Sequence, residues 1–146
     1  MIEERLYEEC AETNEVPMAG GFVSYCCHFK YLGSWMSYNL RDDYDINMRI
    51  ESASKSFAVL RSFFNRPEVS IHSKYLIFMA IQINLLLWGC ASWALRKGQL
   101  LKLERFVNQK VRSILNLNLW HMKDQSITIK KQGEMFNNIP SMQTLI

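Results

Sequence analysis

The stretch Tyr75–Leu95, YLIFMAIQINLLLWGCASWAL, decides the fold. It carries no charge over 21 residues and is bracketed by Lys74 and Arg96. A bilayer takes about 20 apolar residues to cross, so the length alone would suffice. Gln82 and Asn84 lie in its middle, however, where polar groups cost most in a membrane. Gly89, Ser92 and the two tryptophans Trp88 and Trp93 read as a break in the helix. The expectation is a core helix, apolar nearly all round, which starts at a Ser70 cap and ends near Gly89. No membrane is expected as a partner.

Working outward from it, Asp42 or Asp43 can cap an earlier helix with apolar residues at Ile46, Ile50, Ala53, Phe57, Leu60 and Phe64. Those spacings alternate four and three, which is the helical stripe. Asp43 and Asp45 in its first turn suit the positive end of the dipole, and Asn65-Arg66-Pro67 stops it. After the central helix a third starts near Gly98. Leu100, Leu103, Phe106 or Val107, Val111, Ile114 and Leu115 mark its inner side, and Lys102, Arg105, Lys110 and Arg112 its other face. A short helix follows from Thr128 to Phe136, ended by Asn137-Asn138-Ile139-Pro140. Upstream, Phe22 to Lys30 alternates like a strand, Tyr31 to Ser34 reads as a turn, and Trp35 to Tyr38 as a second strand. Ile2 to Thr13 is an acidic helix candidate. The fold expected is mainly α: a small β-hairpin near the N-terminus, then a bundle of three to four helices. The segments are 1–20 (acidic), 21–40 (hairpin), 41–118 (bundle) and 119–146 (helical tail), with Tyr75–Trp88 as the most buried helix.

Composition agrees with a globular domain. The 146 residues are 49% hydrophobic and 21% charged, which excludes a disordered tail, a collagen-like repeat and a low-complexity linker. Net charge is +3, but it is unevenly spread. Met1 to Gly20 holds six glutamates and one arginine, a net −5; Gly21 to Leu95 has a net +2; from Arg96 onward the net is +6. A basic C-terminal third is the footprint of a polyanion partner. Met1 to Glu15 lacks the basic and apolar regions of a secretory signal, so an intracellular, reducing setting is expected and the cysteines should be thiols, mostly buried.

Catalytic chemistry is missing from the sequence. Cys26-Cys27-His28 puts at most Cys26 and His28 on one face of a strand, and no partner motif completes a metal site. Asp42, Asp43 and Asp45 fall within four successive residues at a helix start and splay around its axis, so they suit a cap better than two metal ions. His72-Ser73 lacks an orienting carboxylate. There is no Gly-rich phosphate loop and no nucleophile elbow.

A resemblance gathers these pieces. His28-Phe29-Lys30-Tyr31-Leu32-Gly33-Ser34 resembles the Phe-Lys-Tyr-Leu-Gly segment of reverse transcriptases from non-LTR (LINE-type) retrotransposons. In order and at matching spacing follow Leu40 to Ile46 with Arg49-Ile50, Ser73 to Phe78, and Leu85 to Trp93. Leu103 to Phe106, Val111 to Leu115, Ile127-Thr128 and Phe136 to Pro140 extend it, so that it covers about Gly21 to Pro140. Two departures stand out. Ala91 occupies the place of the glutamate in the family's Gly-Cys-Glu-Ser-Trp, and the catalytic Tyr-x-Asp-Asp does not occur in this chain.

The resemblance implies a palm-end primer-grip hairpin followed by a thumb-like bundle, without the catalytic aspartates. Such a piece is no enzyme on its own and carries no cofactor; magnesium would be held by the upstream palm. Its partners would be an RNA–DNA or DNA duplex, held through phosphates, and the palm and fingers of a parent polymerase. Phe29, Lys30, Tyr31 and Gly33 would be the hairpin's binding residues. Arg96, Lys97, Lys102, Arg105, Lys110 and Arg112 would be the bundle's, with Lys55, Arg61 and Lys74 as weaker candidates. The alternatives are a helical protein-interaction module and a decayed remnant without function.

Overall fold

Short alternating segments joined by tight turns make two antiparallel hairpins at the start of the computed structural model, which describes residues 15–24 and 26–146. Strand β1 (Glu15–Met18) pairs with β2 (Gly21–Ser24), and β3 (His28–Tyr31) with β4 (Ser34–Ser37). The single strand expected over Phe22–Lys30 is therefore two strands of separate hairpins. Extended pairing lapses near Cys26 and Cys27, and the Tyr38 N–H donates to the Cys27 carbonyl (3.0 Å), closing the base of the second hairpin. Strand β1 escaped the sequence reading because it contains Pro17, which has no N–H to give a ladder and is tolerated only at an edge. The acidic helix expected at Ile2–Thr13 lies outside the described residues.

The second hairpin turns on Leu32 and Gly33, both left-handed (φ 47° and 89°). That is the two-residue geometry whose twist matches the strands. One of its faces is tied to the start of the first helix, α1 (Asp43–Phe64). His28 stacks on Tyr44 at 3.7 Å, Trp35 meets the same ring edge-on at 5.3 Å, and the buried Asp45 carboxylate accepts the Trp35 N–H at 3.0 Å. Cys26 is exposed and Cys27 half-buried, so the expectation of buried thiols fails at Cys26.

Residues 1–45 and 46–146 are two compact units. The second is helical. It contains the rest of α1, then α2 (Ile71–Ile77), a π-helical segment (Phe78–Ile83), α3 (Asn84–Leu86), a 3-10 turn (Cys90–Ser92) and α4 (Lys97–Ile114). Three short helices close it: α5 (Leu119–Asp124), α6 (Ile129–Met135) and α7 (Met142–Leu145). The molecule is mainly α with small hairpins ahead of the helices. No helix of the described residues is long and apolar enough to cross a membrane.

The caps follow the sequence. Ser70 Oγ accepts the Ser73 N–H (3.1 Å) to start α2, and Thr128 Oγ1 accepts the Lys131 N–H (3.2 Å) to start α6. Helix α4 ends in a left-handed Asn116, with the Leu117 N–H returning to the Arg112 carbonyl at 2.9 Å.

The predicted stripe on α1 is the buried one: Ile46, Ala53, Phe57 and Phe64 are core, with Ile50 and Leu60 packed against it. A chain of rings runs from Phe57 to Phe64 (5.2 Å), Phe64 to Phe78 (6.5 Å) and Phe78 to Phe136 (5.5 Å). Each phenylalanine fully withdrawn from water contributes about 1.5–3 kcal/mol. Phe136 and Met142 lie in residues 119–146 and belong to the same core as the earlier helices.

Ala53 has no side chain beyond its β-carbon, and the buried Gln82 reaches it from the π-helical segment. The Gln82 amide nitrogen donates to the Ala53 carbonyl (2.7 Å), and its oxygen accepts from Ser56 Oγ (3.1 Å) and Phe57 N (3.3 Å). The widened turn thus sits where a buried amide needs three partners. Tyr75–Trp88 is not buried all round: Leu76 (51% exposed) and Trp88 (59%) face solvent, while Phe78, Gln82, Ile83 and Leu86 face inward. In a unit this small every helix keeps one side in water, and the missing charges do not change that.

Candidate nucleic-acid interface

Helix α4 has two sides set by the 3.6-residue repeat. Leu103, Phe106, Val107, Val111 and Ile114 are buried. Opposite them run Lys97, Leu101, Arg105, Asn108 and Arg112, at spacings of 4, 4, 3 and 4. Lys97, Leu101 and Arg105 are exposed, and Asn108 and Arg112 half-exposed. Lys102 flanks this stripe, and its ammonium donates to Asn47 Oδ1 of α1. That contact holds the long side chain near one place and lowers the entropy lost on binding.

The start of α4 is also cationic. Arg96 is the N-cap and Lys97 the first helical residue, with no acid in the first turn. Cations at the positive end of a helix dipole are locally unfavourable by a few tenths of a kcal/mol. The cap itself is satisfied, since Gln99 Oε1 accepts the Arg96 N–H at 2.9 Å. Two cations at the positive end of the helix dipole form a positive spot suited to an anion.

The remaining sequence candidates are placed as follows. Lys110 is half-buried, its ammonium 4.9 Å from the Phe57 ring centroid and 5.1 Å from that of Phe106. Burial lowers its pKa from the ordinary 10.5. It therefore does not lie on the outer face with Arg105, because it stands four residues from both Phe106 and Ile114 and shares their side. Lys74 is buried and Lys55 is paired with Glu51 (2.6 Å), so neither offers an unengaged surface charge; Arg61 is exposed in the last turn of α1.

Phe29, Lys30, Tyr31 and Gly33 belong to the first unit. Phe29 and Tyr31 are exposed on the hairpin face away from Tyr44, and the Lys30 ammonium lies 5.7 Å from the Trp35 ring. Sequence reasoning missed Asn47, the partner of Lys102, and Leu101, the apolar member of the basic stripe. Helical counting from Lys97 and Arg105 would have found Leu101; nothing in the sequence pointed to Asn47.

Elsewhere, a cavity of about 400 Å3 opens between α4, α6 and residues 138–142. Glu104 and Glu134 line it against the single cation Lys130, so its charged lining is net acidic and does not favour phosphate. Among the described residues no cluster of three metal-ligating side chains occurs. Residues 46–146 hold fourteen basic and five acidic residues, a net +9; residues 1–45 have a net −6, of which residues 15–45 carry −2. Comparison with protein-family models, with curated proteins and with solved structures finds no match to this chain.

Proposed function

We propose that this chain is the palm-end hairpin and thumb-like part of a reverse transcriptase of the non-LTR retrotransposon type, and that it binds nucleic-acid duplexes through phosphates without reading sequence. The ordered resemblance from Gly21 to Pro140 supports the family origin. The observation that carries the binding is the cationic outer side of α4 on a unit of net +9.

The magnitudes set the mode. Lys97 to Arg112 spans fifteen residues, about 22 Å of helix. A duplex carries about thirteen charges over that length, so the four cations, not the phosphates, limit the contact. Three to four neutralised phosphates give a slope of log affinity against log salt of roughly −3, and affinity in the micromolar range or weaker. The hairpin would contribute Lys30 and the exposed rings of Phe29 and Tyr31.

Catalysis would belong to upstream carboxylates that this sequence does not contain, with the metal ions they hold. The purified chain is expected to retard RNA–DNA and DNA duplexes of unrelated sequence equally, and to extend no primer with magnesium or manganese present. Strong preference for one sequence, or primer extension, would overturn the reading. Exposed Trp88 and Leu76 favour a second reading as a protein-interaction module. A tight protein partner insensitive to salt, with no duplex binding, would select it.

A further inference from the structure

The cavity of about 400 Å3 between α4, α6 and residues 138–142 falls within the size range of small-molecule sites, about 300–1,000 Å3. It belongs wholly to the helical unit. Val107, Ile129, Ile139 and Met142 give it apolar walls, while Glu104 and Glu134 give it negative charge opposed only by Lys130. Among the described residues neither carboxylate is in an ion pair. Glu104 is half-buried, so part of its hydration is already lost and a cation beside it has less water to displace.

Two neighbouring residues on α6 bear on what the cavity holds. Gly133 lines it from the middle of the helix, where glycine is the poorest helix former after proline. Its backbone is helical, and a β-carbon there would meet only the Ile139 side chain, at 3.7 Å, an ordinary contact. Neither backbone nor packing requires a glycine; the missing side chain leaves room in the cavity. Gln132 beside it is buried, and its amide nitrogen donates to the Asn108 carbonyl at 2.9 Å, tying α6 to α4. Its Oε1 has no hydrogen-bond partner among the described residues. The charged and buried groups left open here are therefore mostly acceptors, two carboxylates and an amide oxygen, with one lysine against them.

We infer that the cavity binds a small organic cation with an apolar body, a protonated aryl- or alkylamine. Its ammonium lies toward Glu104 and Glu134, and its body against Val107, Ile139 and Met142. The net +9 of the unit opposes a cation at long range, but at about 0.15 M salt the screening length is about 8 Å, and the two carboxylates act at contact. The site stands whether or not α4 binds duplexes.

Amide chemical shifts of the full chain, titrated with tryptamine, test it. Its roughly twelve non-hydrogen atoms give a dissociation constant of about 2 mM at ordinary ligand efficiency. The shifts should centre on Glu104, Val107, Gly133 and Ile139. Indole-3-acetate carries the same ring with the opposite charge and should bind about tenfold more weakly or not at all. Changing Glu104 and Glu134 together to Gln keeps their shape, and should weaken tryptamine about tenfold and close the gap between the two probes. Gly133→Ala should fold at least as stably as the parent, because helix propensity rises, and still bind tryptamine more weakly. No shifts at the lining residues by about ten times the expected constant would overturn the inference. So would indole-3-acetate binding as tightly as tryptamine, or an affinity for tryptamine that neither variant changes.

Discussion

The Lys110 ammonium lies over the rings of Phe57 and Phe106, half-buried, while Arg105 five residues earlier is in water. Burial disfavours its charged form and lowers its pKa from the ordinary 10.5. The sign follows from linkage. Below the folded-state pKa the amine is charged in both states, and folding bears the full cost of burying it. As pH rises through that value toward 10.5 the cost disappears, so stability from this group grows with pH. Lys110→Met should therefore be at least as stable as the parent near pH 7, less the ring attraction of about 0.5–1 kcal/mol. Its relative advantage should shrink by about pH 10, as read by urea unfolding at both values. It should also leave the salt slope of duplex binding nearly unchanged, whereas a lysine on phosphate accounts for about 0.9 of slope. A slope flatter by about one would place Lys110 on the nucleic acid.

Two glycines separate turn chemistry from helix chemistry at the scale of elements. Gly89 stands at φ 80° where the central helix ends, a conformation that a β-carbon resists. Gly98 stands in the first turn of α4, with no atom within 4 Å of where a β-carbon would be. Gly89→Ala should cost about 1–2 kcal/mol, and Gly98→Ala should add about 0.4–1 kcal/mol. Chemical denaturation reads both, and equal signs would refute the assignment of the helix end. The helices were largely legible because their signals are local: the stripe from Ile46 to Phe64, the Ser70 and Thr128 caps, and the stops at Pro67 and Gly89. The π-helical turn was not legible, since it depends on Gln82 meeting Ala53, Ser56 and Phe57 from another helix. Strand β1 was hidden by Pro17, and α5 by the lack of an apolar stripe around Trp120. On the candidate site, the exposed arginines could be counted from the sequence. The inward turn of Lys110 and the burial of Lys74 depend on neighbours from elsewhere in the chain.

Charge is unevenly spread along the whole molecule: residues 46–146, the helical unit, have a net +9, and most of the acidic excess of residues 1–45 precedes Glu15 in the sequence. Its cations are concentrated where binding can use them, on the outer side of a helix whose inner side is locked into the core by Leu103, Val107, Val111 and Ile114. Truncating outer residues should therefore change binding with little change in stability, since exposed charges are worth about 0–1 kcal/mol to the fold. The most direct measurement is the salt dependence of duplex affinity for the parent and for the variant with Lys102, Arg105 and Arg112 all changed to Ala. The parent slope should be roughly −3, and the variant should fall to about −1 or flatter while unfolding at nearly the same urea concentration and weakening for every duplex alike. A variant that binds as tightly as the parent at low salt, with the same slope, would contradict the assignment of α4 as the nucleic-acid surface.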